Sequence, residues 1–337
     1  MERHGVYGRI MLTTSSQGSC PVCSAALTAE GPSYTTEELF GLWRPVRFSE
    51  KTIEEHRNIA ASTQLHHCSG CGLGIFLPQI IGTPDFYVEA YNLTGSQQDS
   101  EFTYVDDKWE FGMALADARG CEKVIEFGCG NGNFLEKLRA TVSEIAGVEY
   151  NPSALQSARD KGFRVFSGPD MATEAPGQWD AAFSFHVLEH VADPAGFMVE
   201  MKNAVKPGGL IGISVPNQDG PIRFIEPCIM NMPPHHATRW KISTFEALAR
   251  RLGLTIRRIA REPLLLENHG YYSVHWVRHL LPGSSLLSSA LRSLLSLGLR
   301  AFLGGLHRLG FRYFPILPGQ SLYVLMSTPV TAGSSRS

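Results

Sequence analysis

VIEFGCGNGNF, residues 124–134, runs from a short apolar segment through three alternating glycines into "NFLEKLRA" at helical spacing. A glycine-rich turn between strand and helix lets the backbone approach a ligand closely and aims N–H groups at it. A dinucleotide, a phosphate or S-adenosylmethionine can be held this way. The dinucleotide fingerprint is G-x-G-x-x-G, whereas Gly128, Gly130 and Gly132 form G-x-G-x-G. The phosphate loop needs Gly-Lys-Ser/Thr after its last glycine, and Asn133-Phe134 stands there. Glu126 would repel a pyrophosphate but suits the ammonium group of a methionine moiety.

From Lys123 onward, strand and helix patterns alternate. "KVIEF", "EIAGVEY", "FRVF", "WDAAFSF", "LIGISVP", "LTIRRIA" and "SLYVLMS" read as seven strands. "PSALQSARDKG", "PAGFMVEMKNAVKPGG" and "STFEALARRLG" read as helices, the last opening on a capping box of Ser243 or Thr244 with Glu246. Such alternation predicts an α/β fold, a parallel sheet with helices on both faces. Glu149 ends the second strand at the ligand edge, where an acid accepts hydrogen bonds from ribose hydroxyls.

"VIEFGCGNGNF", "GVEYNPSAL", "WDAAFSFHVLEHVADP" and "VKPGGLIGISVPN" follow one another at suitable spacings. Together they resemble the class I S-adenosylmethionine-dependent methyltransferases, over roughly residues 120–262 plus the last strand. The resemblance implies a Rossmann-like seven-stranded sheet. It implies that Glu126, Phe127, Gly128, Gly130 and Gly132 hold the methionine end of the cofactor. Glu149 would then hold the ribose, Tyr150 pack near the adenine, Asp170 meet the adenine amine, and His186 border the methyl donor.

Upstream, Cys20-x-x-Cys23 and Cys68-x-x-Cys71 form two knuckles at tetrahedral zinc spacing. Four cysteines close the coordination shell, which makes the expected zinc structural, and a module of this size needs such a staple. "CSGCGLGIFLPQ", with Tyr87 and Tyr91 following, also resembles the zinc ribbons that precede some sugar and natural-product methyltransferases. Cys121, Cys129 and Cys228 read as ordinary core or loop residues. The expected organisation is a flexible 1–19, a zinc-ribbon-like module over 20–78, a helical linker or lid over 79–119, a methyltransferase domain over 120–330 and a flexible tail over 331–337.

The 337 residues carry a formal charge of -2, which gives no global basic field for nucleic acid. "MERHGVYGRIMLTTSS" lacks the apolar core of a signal peptide, so a cytoplasmic location is expected. Residues 20–78 are not notably basic, so an RNA acceptor docked on the ribbon is the weaker reading. A sugar, another small molecule or a glycan- or lipid-linked hydroxyl is the expected acceptor. O-methylation is favoured because the large C-terminal domain of the related sugar C-methyltransferases is missing. A cofactor-binding or zinc-mediated interaction module without turnover is the alternative from another class.

The long loop "VPNQDGPIRFIEPCIMNMPPHHATRW" follows the fifth strand, where acceptor pockets form in this architecture. Methyl transfer is an in-line displacement that needs an aligned acceptor and, for a hydroxyl, a base. His235 and His236 are the first candidates for that base and His190 the third, because histidine titrates near neutrality. An insert over 268–318 precedes the last strand. From Asn268 to the end there is no Asp, Glu or Lys, and six arginines supply the charge apart from histidines. Leu287, Leu291, Leu294, Leu295, Leu299, Phe302 and Leu306 recur at helical spacing, with Ser288, Arg292, Ser296 and Arg300 on another face. Two readings follow for 280–312: a lid or homodimer face buried against protein, or a helix lying peripherally on the inner face of an anionic membrane.

Overall fold

The computed structural model describes residues 18–43, 46–92, 108–167, 177–281 and 286–330. The first part of the chain folds as β1 (Leu27–Thr35), α1 (Thr36–Leu42), α2 (Glu50–Ile59), β2 (Ser62–Cys68), β3 (Gly74–Leu77) and α3 (Pro84–Asn92). The second begins with α4 (Trp109–Asp117), β4 (Lys123–Phe127), α5 (Asn133–Leu138), β5 (Glu144–Glu149), α6 (Pro152–Asp160), β6 (Arg164–Ser167) and β7 (Trp179–Phe185). It continues through α7 (Pro194–Ala204), β8 (Val205–Pro216), β9 (Thr238–Arg239), α8 (Ile242–Leu252) and β10 (Thr255–Leu265). It ends with α9 (His269–Leu280), α10 (Leu286–Arg308) and β11 (Tyr313–Ser327).

Seven strands form one sheet in the order β10-β11-β8-β7-β4-β5-β6. Its β6, β5, β4, β7 and β8 are parallel, and β11 runs antiparallel between β8 and β10. The expected parallel sheet holds for these five strands, and the sheet as a whole is mixed because β11 returns as a hairpin arm rather than through a crossover. The order reverses at β4, between β7 and β5. In sheets with such a reversal the loops after the neighbouring strands diverge, which puts the ligand site at the C-terminal edge. Helices α5, α6, α7 and α8 cover the faces with apolar sides such as Phe134, Leu135, Met198, Met201, Phe245 and Leu248, all buried.

A second sheet, β1-β2-β3-β9, takes its last strand from the loop after β8. The 20–78 module is therefore completed by residues of the methyltransferase part. Cys20, Val22, Cys68, Cys71 and Leu73 share one buried cluster with Trp240, Phe245 and Leu248. The expected capping box on α8 does not form. The Ser243 and Thr244 hydroxyls donate to the Cys71 carbonyl at 2.8 and 3.0 Å instead, tying the helix start to the second knuckle.

The last two strands are longer than expected. Pairs Leu264↔Phe314 and Leu265↔Tyr313 extend the hairpin past the sheet edge, so residues 313–318 are strand, and helices occupy 269–280 and 286–308.

Candidate functional site

The glycine turn is shaped by backbone that side chains would not tolerate. Gly128, Gly130 and Gly132 have φ of 75°, 54° and 83°, in the left-handed region that favours glycine. A Cβ on Gly128 would sit 2.3 Å from Val187 Cγ2, so the turn must pass bare under the loop after β7. Gly132 caps α5, whose first residues follow directly.

Two acids line this turn. Glu126, at the end of β4, is 3 % exposed, and its Oε2 has no hydrogen-bond partner. Burial, with the Glu149 charge adding to it, pushes its pKa well above the usual carboxylate range. A buried carboxylate with an orphan oxygen is a ready acceptor for a cationic donor. Glu149, at the end of β5, takes hydrogen bonds from Gly130 N at 2.7 Å and from Tyr150 N and Asn151 N, both at 2.7 Å. Burial raises its pKa against these three donors. Its carboxylate is held in place: Oε1 takes both Tyr150 N and Asn151 N, and Oε2, which takes Gly130 N alone, keeps acceptor capacity for a ribose hydroxyl. Phe127 is buried behind the turn, and Tyr150 packs against the main core. Asp170 lies outside the described residues.

His186 follows β7 with φ 54°, one of two described non-glycine residues at positive φ. Its Nε2 lies 2.8 Å from Glu110 Oε1 and its Nδ1 lies 3.3 Å from Glu189 Oε1. Burial alone would lower its pKa, but Glu110 and then Glu189 overcome it and push it up to about 9. The ring is therefore an imidazolium clamped between two buried carboxylates. Glu110 on α4 and Glu189 are functional candidates that the sequence reading missed. The "LEH" run contains Glu189, but nothing local marks Glu110 as its neighbour.

His190, His235 and His236 do come together. Their ring centroids lie 4.5–4.7 Å apart pairwise. His190 Nδ1 lies 2.5 Å from the His235 carbonyl, so Nδ1 carries the proton and Nε2 is the free base. His235 and His236 are 5 % and 4 % exposed, and Nδ1 of each lacks a partner. Burial holds both far below the ordinary histidine pKa. The His190 side chain is 18 % exposed, more than either of the other two. The acceptor loop is held by its neighbours: Ala237 N and Thr238 N donate to the Glu189 carbonyl at 2.9 and 3.1 Å. From the N-terminal part, Trp43 stacks on His235 at 5.7 Å, and the Tyr87 hydroxyl donates to the His235 carbonyl at 3.5 Å. One ring nitrogen from each of the three histidines falls within 4.8 Å of the others, a group that could hold a cation.

The four knuckle cysteines also converge. Sγ atoms of Cys20 and Cys71 lie 3.6 Å apart, those of Cys23 and Cys68 3.3 Å, and all four lie within 4.8 Å. N–H groups of Val22, Gly70 and Cys71 point at Cys20 and Cys68 sulfurs at 3.3–3.4 Å. A Cβ on Gly70 would meet Ala25 Cβ at 2.7 Å, so the knuckle closes only over glycine. A hydrogen bond from Cys71 holds the Cys20 thiol down at about 5. Four sulfurs with N–H donors fit a tetrahedral zinc.

The family described as "Methyltransferase domain" matches residues 102–259. A ubiquinone biosynthesis O-methyltransferase of Thiobacillus denitrificans is 31 % identical over 106 residues, which cover 29 % of this chain and 46 % of that protein. One from Chromobacterium violaceum is 28 % identical over 155 residues, covering 41 % and 67 %. The chain spans about half the length of most of these curated relatives. A solved S-adenosylmethionine-dependent methyltransferase from Archaeoglobus fulgidus superposes with a TM-score of 0.41 and 19 % identity, over 65 % of this chain and 94 % of that one. The four ordered motifs, the strand order with its reversal at β4 and the matched domain agree, and this chain carries a class I S-adenosylmethionine-dependent methyltransferase domain.

Proposed function

We propose that this protein transfers a methyl group from S-adenosylmethionine to the hydroxyl of a small or glycan- or lipid-linked acceptor. The observation that carries the reading is the buried Glu126 carboxylate, with its unpartnered oxygen, beside a glycine turn that passes bare under Val187. Glu126 would hold the ammonium group of the cofactor and Glu149 its ribose hydroxyls. The cofactor, when bound, supplies an electrophilic methyl carbon. The chain's own residues do the rest. The loop 217–240, pinned to Glu189, walls the acceptor side. His190 takes the hydroxyl proton at Nε2, and buried Glu189, with Oε1 3.9 Å away, stabilises the imidazolium that forms. His235 and His236, neutral and more deeply buried, set the position of His190. Zinc on Cys20, Cys23, Cys68 and Cys71 is structural, since four thiolates leave no open position.

The test is calorimetric titration with S-adenosylhomocysteine of the wild type, Glu126→Gln and Glu149→Gln. Wild type should bind, and each variant should lose about tenfold or more, the scale of one charge-assisted hydrogen bond. Glu126→Gln should also keep or raise Tm, because a neutral amide replaces a carboxyl whose charged form burial disfavours. Failure of the folded wild type to bind would sink the proposal.

A further inference from the structure

The insert between β10 and β11 buries only part of its apolar surface and turns the rest outward. In α10, Leu303 is buried and Leu299 and Leu306 pack with it against Leu264, Leu266 and Tyr272. Arg292 is on the half-buried side and donates to the Leu281 carbonyl at 3.1 Å. Of the two readings for this segment, burial against the protein holds for only part of the leucine set. Leu291, Leu294, Leu295 and Phe302 are 45 %, 67 %, 47 % and 56 % exposed. At 100° per residue these four fall within an arc of about 100°, one continuous face. Leu309, Phe311 and Ile316 prolong the exposed apolar surface past the helix end. Nine of the fourteen large exposed hydrophobics among the described residues lie between Leu280 and Ile316. Exposed apolar side chains are ordinary when scattered; this concentration marks a surface with an occupant.

The charges decide which occupant. Exposed Arg278, Arg308 and Arg312 sit beside exposed Leu280, Leu309 and Phe311, and no acid or lysine occurs from Asn268 onward. A second copy would cover the leucines, but its own hairpin would bring arginines to arginines, with no acid from Asn268 onward to offset them. A bilayer with anionic headgroups supplies both an apolar layer and phosphates that match guanidinium geometry. No helix among the described residues is long and apolar enough to cross a membrane, so α10, 23 residues and about 35 Å long, would lie flat.

We propose that the α9–α10 hairpin seats this protein on an anionic phospholipid surface. Leu291, Leu294, Leu295 and Phe302 enter the headgroup–acyl boundary, and Arg278, Arg308 and Arg312 engage phosphates. His279 on α9 packs on Phe224 with ring centroids 4.5 Å apart. Phe224 belongs to the acceptor loop, so the same seat brings that loop to the lipid surface.

The full chain is sedimented with phosphatidylcholine vesicles, with and without phosphatidylglycerol, and methyl transfer plays no part in the readout. Wild type should pellet with the anionic vesicles about tenfold or more better than with the neutral ones, and salt should weaken this. Leu294→Gln/Leu295→Gln/Phe302→Gln changes only exposed side chains. It should abolish pelleting while keeping the circular dichroism of the wild type. Arg308→Gln/Arg312→Gln should lower binding to anionic vesicles toward the neutral level. Wild type left in the supernatant with both vesicle types overturns the proposal. So does a folded triple variant that still pellets, or a dimer in sedimentation velocity that the triple variant dissolves, which would assign the face to a second copy.

Discussion

A histidine's use depends on what its two nitrogens meet, and the three candidate bases separate on that ground. His190 has its tautomer set by the His235 carbonyl, and burial lowers its pKa. It is a base that stays neutral until the pH falls below the ordinary histidine value. His235 and His236 are held lower still by burial and by their neighbours' rings. The acid limb of the kcat profile should therefore lie below about pH 6.5. His190→Gln should cut kcat by about 10²-fold while leaving S-adenosylhomocysteine affinity unchanged. A variant with full kcat would remove His190 from the proton transfer. His186, by contrast, is raised to about 9 and cannot act as a base near neutrality. With a folded-state pKa above its ordinary value, it contributes stability that is complete below about 6.5 and is lost as pH rises through about 9.

At the scale of elements, the knuckles and the acceptor loop are mechanically joined. β9 pairs with β3 through Gly74↔Arg239 and Ile75↔Thr238, and Phe76 N donates to the Ala237 carbonyl at 3.0 Å. The Cys71 carbonyl receives both hydroxyls at the start of α8. Removing the proposed zinc should loosen the loop before it disturbs the glycine turn, which rests on β4 and β5. Chelation, or Cys68→Ser, should raise the acceptor KM severalfold and leave the S-adenosylhomocysteine Kd within about twofold. An equal loss of both would show that the module supports the whole sheet rather than the loop.

At the scale of the molecule, Cys20, Val22, Cys68, Cys71 and Leu73 share one apolar cluster with the seven-stranded sheet. Arg251 of α8 reaches back to the Pro21 and Val22 carbonyls. A unit closed by β9 and sharing that cluster has no boundary at which to melt alone. Thermal unfolding should show one transition, and chelation should shift it down as a whole by at least about 5 °C. A separate early transition on chelation would mean that the 20–78 module folds on its own.

How much of this the chain reveals unaided follows from how far apart the interacting residues lie. Strand and helix patterns, the glycine turn and the acids at the ends of β4 and β5 depend on spacing of a few residues, and their identities alone announced a cofactor crevice. The paired cysteines were legible for the same reason, each knuckle being a local motif. The His186 clamp was not legible, because Glu110 lies 76 positions away and only the packing of α4 under β7 brings it in. Nor was the fourth strand of the small sheet, two residues long and borrowed from the acceptor loop. The amphipathic pattern of α10 was visible, but periodicity says only that a helix has two faces. Which face meets protein was decided by where Leu264, Leu266 and Tyr272 stand in the folded hairpin, and that left Leu291, Leu294, Leu295 and Phe302 outside.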